Sequence, residues 1–418
     1  MSRAAALAPA RAAEPGLAPW SLFAATLGAA GLPIYIHAPK FYVDEYGVSL
    51  AALGTVLFAL RLIDFAQDPA FGWLTERLRA RRGAAVALAM AVMALAMLGL
   101  FAVAPPVAPL LWFALTLTAL FSAFSFLTIS FYAEGVAKAV RLGEGGHVRL
   151  AAWREAGALL GVCVAAVVPA VLAAHSESPF ALFALGFALL CLIAAAAMRR
   201  DWGTGHVPGS TGFRQVLSDP LARRLLILAL INATPVAVTS TLFLFFVESR
   251  LAAPGWEGPL LLVFFLAAAL SAPFWGRAAE AFGAKRALLA GMVLSILAFG
   301  FAALLGAGDA ALFAVVCLAS GAALGADMTL LPAIFATRMA RVAPNAGQAF
   351  GLWSFVSKFT LAFAAVTLLP LLQASGFTAG EVNAPEVLFA LTALYALLPC
   401  ALKLAAIALL AATPLKEG

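Results

Sequence analysis

The sequence predicts an all-α polytopic membrane protein: twelve transmembrane helices arranged as two pseudo-symmetric six-helix bundles. Three observations carry this. The 418 residues are 64% hydrophobic and only 11% charged, too few polar side chains to cover a water-soluble surface of this size. Apolar runs near or above ~20 residues, the length that crosses a bilayer as helix, recur along the whole chain. Lys and Arg gather in alternate loops, as they do on the inner side of a membrane. Short alternating segments of the barrel type are not evident.

In order, the spans are expected at roughly 20–43, 49–76, 84–104, 108–137, 149–173, 180–198, 222–247, 259–281, 285–305, 310–339, 345–374 and 386–411. The first opens at Trp20, behind a polar leader with Pro and no convincing cleavage site, so it reads as a retained helix rather than a signal peptide. The second, apolar at both ends, carries Arg61, Asp64 and Asp68 in "ALRLIDFAQDP". After the sixth comes the longest polar stretch, "RRDWGTGHVPGSTGFRQVLSDPLARR". It divides the chain into 1–198 (first six-helix bundle), 199–221 (cytoplasmic linker) and 222–418 (second six-helix bundle).

With the N-terminus cytoplasmic, 21 of the 26 Lys and Arg residues fall inside, from Arg3 and Arg11 to Lys416. Only Lys40 and Arg250 fall outside, and Arg61, Lys358 and Lys403 fall within spans. The expectation is a multi-pass inner (plasma) membrane protein of bacterial type, both termini cytoplasmic. Anionic lipid headgroups account for the net charge of +6 without any nucleic acid. Cys163, Cys191, Cys317 and Cys400 sit in apolar segments without CxxC or Cys/His spacing, and read as packing residues.

The halves echo each other. "GWLTERLRARRG" starts at Gly72, and "GRAAEAFGAKR" starts at Gly276, about half a chain later. Each has Gly, an acid four residues on (Glu76, Glu280) and a basic cluster that includes Arg77 or Arg286. A weaker echo links "AAWREAG" at Trp153 with "FGLWSF" at Trp353. Internal duplication with short basic loops is typical of transporters, whose sites lie at mid-membrane between the repeats. The duplicated loop resembles the loop motif of the major facilitator superfamily. There the Gly allows close helix approach, and the acid pairs with basic residues at a neighbouring helix end.

A charge at the bilayer centre costs about 2.5–3.5 kcal/mol on insertion scales. On a helix Asp64 and Asp68 are i,i+4, and Arg61 and Asp64 are i,i+3, so the three form one stripe that should face the bundle interior. Arg61 has Asp64 within reach as a partner, and is also expected to face the substrate cavity. Two neighbouring carboxylates repel unless a cation or a shared proton lies between them. Oxygen ligands suit a hard cation. A structural salt-bridge network is the bland alternative, and the second acid is what it explains least.

"RLIDFAQDPAFGW" resembles the second-helix signature of the glycoside–pentoside–hexuronide:cation symporters, the melibiose-permease family, with Arg61, Asp64, Asp68, Pro69 and Gly72 in the matching places. "FYVDEYGVSLAALG" fits the stretch before it. "AAWREAGALLG" resembles the family's fifth-helix opening, and "FGLWSFVSKFTLA" its eleventh helix. The resemblance implies a coupling cation, Na⁺ or H⁺, at Asp64 and Asp68, with Arg154 and Lys358 lining the central cavity. Lys358, about 13 residues into its span, is too deep for easy snorkelling. Gln67 stands where sugar-transporting relatives often have Asn, which leaves Na⁺ or H⁺ open. In "FSFLTISFYAEG" Thr128 stands in the place of the family's acid and Tyr132 in that of its aromatic, and Ser125 offers the cation a hydroxyl. The first helix lacks a central acid, so the sugar clamp is incomplete.

Asp327 is another intramembrane acid, expected to pair with Lys358, line the cavity or serve structure. Lys403 is expected to snorkel at the lipid edge. His37 reads as a polar interfacial residue. Trp153 and Trp353 favour packing or anchoring, with Trp353 also near the cavity.

The expected activity is cation-coupled symport of a small polar or sugar-like solute by alternating access, carried out by a monomer without cofactor. The alternative is proton-coupled export or antiport of a hydrophobic or amphipathic compound on the same fold. A membrane enzyme finds no support: there is no nucleotide loop, no HExxH and no Ser/His/Asp cluster at depth.

Overall fold

The computed structural model describes residues 16–202, 212–378 and 380–415. Among them every regular element is helical: α1 Ala18–Ala30, α2 Leu32–Tyr46, α3 Leu50–Arg77, α4 Arg82–Phe101, α5 Pro109–Arg141, α6 Gly146–Ala173, α7 Pro179–Met198, α8 Phe213–Ser218, α9 Pro220–Phe245, α10 Glu257–Phe282, α11 Ala284–Ala302, α12 Ala310–Val342, α13 Gly347–Ala374, α14 Pro385–Thr392 and α15 Leu398–Ala411. Helices close their own backbone hydrogen bonds, which a lipid solvent requires.

Ten stretches of the described residues are long and apolar enough to cross a membrane. Two more complete the twelve expected. The first span is broken at Gly31 into α1 and α2, of 13 and 15 residues, each too short to cross alone. The second, α3, has 28 residues but carries Arg61, Asp64 and Asp68, which lower its hydropathy. The last span is α14 and α15 joined by a single π turn at Ala393–Leu397, and α9 also runs into a π turn, Phe246–Arg250.

Local chemistry sets the helix starts. Ser49 caps α3, its hydroxyl accepting from the Ala52 N–H at 3.3 Å. Asp219 caps α9, accepting from the Ala222 N–H at 2.7 Å, with Pro220 in the first turn. The expected linker, 199–221, contains α8, and α9 begins within its last two residues. Residues 203–211 of that linker, Arg3 and Arg11 of the leader, and Lys416 lie outside the described residues.

Small residues let the helices touch. A Cβ on Gly157 or Gly161 of α6 would lie 2.2 or 2.0 Å from the carbonyl oxygen of Ser21 or Ala25 of α1. One apolar cluster draws only on the first half, from Leu17 to Trp202, and another only on the second. A third joins Ile129, Ala133 and Val136 of α5 to the second half. The halves meet where α3 packs on α13 and α6 on α10. Cys163, Cys191 and Cys317 are buried free thiols and Cys400 is half-buried, in keeping with packing roles.

Candidate functional site

The intramembrane charges converge. α3 holds Asp64 and Asp68 one turn apart, α5 supplies Ser122 and Ser125, and α13 of the other half brings Lys358 to them. Lys358 Nζ donates to Asp64 Oδ1 at 2.8 Å, Asp68 Oδ1 at 3.0 Å and Ser125 Oγ at 2.6 Å. The Ser125 hydroxyl donates to Asp64 Oδ1 at 2.9 Å. Gln67 Nε2 donates to the same oxygen at 3.5 Å, and Gln67 Oε1 accepts from Ser122 at 3.0 Å. Asp68 is fully buried, and its Oδ2 has no hydrogen-bond partner. Arg61 stands one turn before Asp64 and is partly exposed.

Glycine contacts make this reach feasible. A Cβ on Gly72 would lie 2.8 Å from the Gly347 oxygen and 3.0 Å from Gln348 Cα. One on Gly351 would lie 2.9 Å from the Asp68 oxygen. The close approach expected of the loop-motif Gly is therefore seen at Gly72, on the side where the basic loops lie. The Glu76 carboxylate seals the same point, accepting from the Gln348 backbone N–H and side-chain Nε2, each at 3.0 Å. Gln348 Oε1 accepts from the Phe213 N–H of α8 at 2.8 Å. In the second copy, a Cβ on Gly276 would lie 3.0 Å from Ala152 Cβ. Glu280 faces Arg149 across the halves at 3.9 Å, both substantially exposed. The Arg77 guanidinium lies over the Trp73 ring, 4.9 Å from its centroid, and Arg286 is exposed.

Beside the charge cluster is a cavity of about 390 Å³ between the halves, lined from α5, α9, α12 and α13. Thr128, Tyr132, Asp327, Trp353 and Lys358 all line it. Trp353 also packs on Phe335, ring centroids 4.8 Å apart, whereas Trp153 is half-exposed.

Three sequence expectations change. Of the residues expected at the cavity, Arg61 is not among those lining it, and neither is Arg154. The Arg154 guanidinium stacks 3.6 Å from the centroid of the Tyr132 ring, which does line the cavity. Arg154 Nε donates to Glu155 Oε1 at 2.8 Å, and the Tyr132 hydroxyl donates to the same oxygen at 2.8 Å. Glu155 stands in the "WREAG" motif, and adjacency to Arg154 was the available signal. Lys403 does not snorkel: it is 2% exposed. Its ammonium is paired with Asp327 Oδ2 and donates to Asn232 Oδ1 at 2.7 Å. An acid on α12 and an amide on α9 make burial acceptable where a lone Lys would seek the interface. Asp327 thus pairs with Lys403 in the described contacts. Asp327 Oδ1 and Thr128 Oγ1 are buried without hydrogen-bond partners. Among the described residues, no three of His, Cys, Asp and Glu gather as a metal-holding group.

No curated protein matches the sequence. Solved structures do match in fold. A crystal structure of a bacterial homologue of the iron transporter ferroportin, in an outward-facing state, superposes with a TM-score of 0.70 and 15% identity, over 95% of this chain and 98% of that one. The same homologue with soaked iron gives a TM-score of 0.68 at the same identity and coverage. The likeness at such identity is of fold. Residues 21–417 match the family described as MFS/sugar transport protein. With that match spanning nearly the whole chain, and with the twelve-span architecture and its central cavity, the chain belongs to the MFS/sugar transport protein family of transporters.

Proposed function

We propose that this transporter is cation-coupled, and that a single monovalent cation, Na⁺ or H⁺, exchanges with the Lys358 ammonium at Asp64 and Asp68. The observation that carries this reading is Lys358 Nζ held within 2.8 and 3.0 Å of the two carboxylates from the opposite half. The ammonium stands in for the cation. With the ammonium withdrawn, Asp64 and Asp68 are two carboxylates one turn apart that repel until a cation takes its place. Asp64, Asp68 and Ser125 offer oxygen ligands of the kind a hard cation takes, whereas Gln67 turns its amide N–H to Asp64 and its oxygen to Ser122; protonation of Asp68 relieves the same repulsion.

Exchange has a mechanical consequence. The contact from Lys358 to α3 joins the halves, so a cation that displaces it alters the balance between states open to either side. Substrate and cation are coupled when both favour the same state, and rocking of the halves then carries them across. Asp68→Asn should abolish cation-coupled uptake in proteoliposomes while the protein still reaches the membrane; intact coupled uptake would sink the carboxylate role.

The apolar share of the cavity wall favours a second reading on the same site, antiport or export of an amphipathic compound driven by protons. Counterflow in vesicles of either orientation, with and without a Na⁺ gradient, separates the two. Iron belongs to the structural neighbours' own description. Nothing in the oxygen-and-ammonium cluster calls for it.

A further inference from the structure

Asp327 gives the cavity a second polar pole, in the C-terminal half. The residue is more than nine-tenths buried. Its Oδ2 is paired with Lys403, which is also held by Asn232. Its Oδ1 is buried and has no hydrogen-bond partner. Thr128 Oγ1, on the N-terminal side of the same cavity, is in the same condition. Much of the wall around these atoms is apolar or aromatic, including Phe124, Leu324, Met328, Phe350 and Trp353.

An unpaired carboxylate oxygen in such surroundings is costly, and a ligand's O–H or N–H donor relieves that cost. The charges then restrict the ligand. Asp327 and Lys403 sum to zero, so a neutral donor adds a charge-assisted hydrogen bond without unbalancing the pair. A cationic donor would leave a positive charge uncompensated in an apolar wall. A polyol is also disfavoured. Each of its hydroxyls needs a partner, and of the four other hydroxyls on this wall three have their donor already used, Ser357 to Trp353 O, Thr360 to Ser357 O and Tyr132 to Glu155 Oε1.

We infer that Asp327 Oδ1 and Thr128 Oγ1 form a subsite for the polar head of an uncharged amphipathic substrate, a compound with an aromatic or alicyclic body and a single O–H or N–H donor. This rests on the cation-coupled reading and deepens it: the cation balances the charge at Asp64 and Asp68, and the substrate carries none.

The test uses the full chain in lipid nanodiscs, with thermal unfolding as readout and naphthylmethanol, methylnaphthalene and melibiose as probes. Naphthylmethanol should stabilise the protein saturably, methylnaphthalene should bind at least about tenfold more weakly for want of the charge-assisted hydrogen bond, and melibiose should give no shift. The double variant Asp327→Asn/Lys403→Met removes both charges together, so no ammonium is left buried alone, and it should lose the discrimination between the two naphthalenes. Equal binding of the two in the wild type, no shift with naphthylmethanol, stabilisation by melibiose alone, or discrimination kept in the double variant would each overturn the subsite. Cation-dependent stabilisation, compared between wild type and Asp68→Asn, reads the coupling site separately. Its absence beside intact naphthylmethanol discrimination would remove the coupling and leave the subsite standing. The reverse result would remove only the subsite.

Discussion

On the cation-coupled reading, Lys358 and the coupling cation would compete for the same oxygens, and that competition can be measured. In Lys358→Gln the two carboxylates lose their ammonium and keep their geometry, since Gly72, Gly347 and Gly351 still hold α3 against α13. A unit charge at this range is worth up to about 4 kcal/mol at an effective dielectric near 20. The variant should therefore bind the cation at least about tenfold more tightly, read as stabilisation at lower Na⁺ or higher pH, while net transport falls because the bound cation has no replacement. Unchanged cation affinity would show that the ammonium is not a competitor. Asp64 and Asp68 were legible as a pair because helical spacing is local information. Ser125 followed from the resemblance of one helix. The pairing of Asp327 with Lys403 was not legible, because it joins residues 76 positions apart on separate helices. A lone Lys near a chain end reads as an interfacial residue until its acid is seen.

Helix positions were legible to within a few residues, because a span's length and apolarity are set by the bilayer. Interruptions were not. The break at Gly31 and the two π turns change backbone pairing without changing composition. The start of α9 shows how an element is fixed by chemistry at one residue. Asp219 caps it and also accepts from Arg338 Nε of α12 at 3.0 Å. The Arg338 hydrogen bond, with help from the Ala222 N–H, holds the Asp219 carboxyl below the usual carboxylate range. The folded-state value is thus depressed. The stabilisation is fully present above the ordinary carboxylate value and is lost as pH falls through the lower folded one. Asp219→Ala should lower stability by about 1–2 kcal/mol at neutral pH, mainly through loss of the cap. The gap from wild type should narrow on acidification through the carboxylate range. A gap that stays constant would assign the effect to something other than the ionised carboxylate.

At the scale of the whole molecule, the described contacts between the halves run from the basic loops, through Gly72 and Glu76 against Gln348, to Lys358 at mid-span. A protein held closed at one end must expose its cavity toward the other if it works by alternating access. Ser357 lines that cavity next to Lys358, and in a background without the four native cysteines Ser357→Cys reports which face reaches it. An impermeant maleimide should label it from the face opposite the basic loops, several-fold faster than from the basic face. Adding Gly72→Val should reverse the preference. Its side chain would be forced onto the Gly347 carbonyl, 2.8 Å from where the Cβ must lie, and the only relief is separation of α3 from α13 at that end. Because the clash penalises the state in which α3 and α13 touch at that end, it shifts the population while replacing none of the Asp64, Asp68 and Lys358 side chains. Labelling that keeps its sidedness in the Gly72 variant would mean that the glycine contact is not the closure, and the seal would then have to lie at Glu76 and Gln348, where Glu76→Gln tests it by the same reagent.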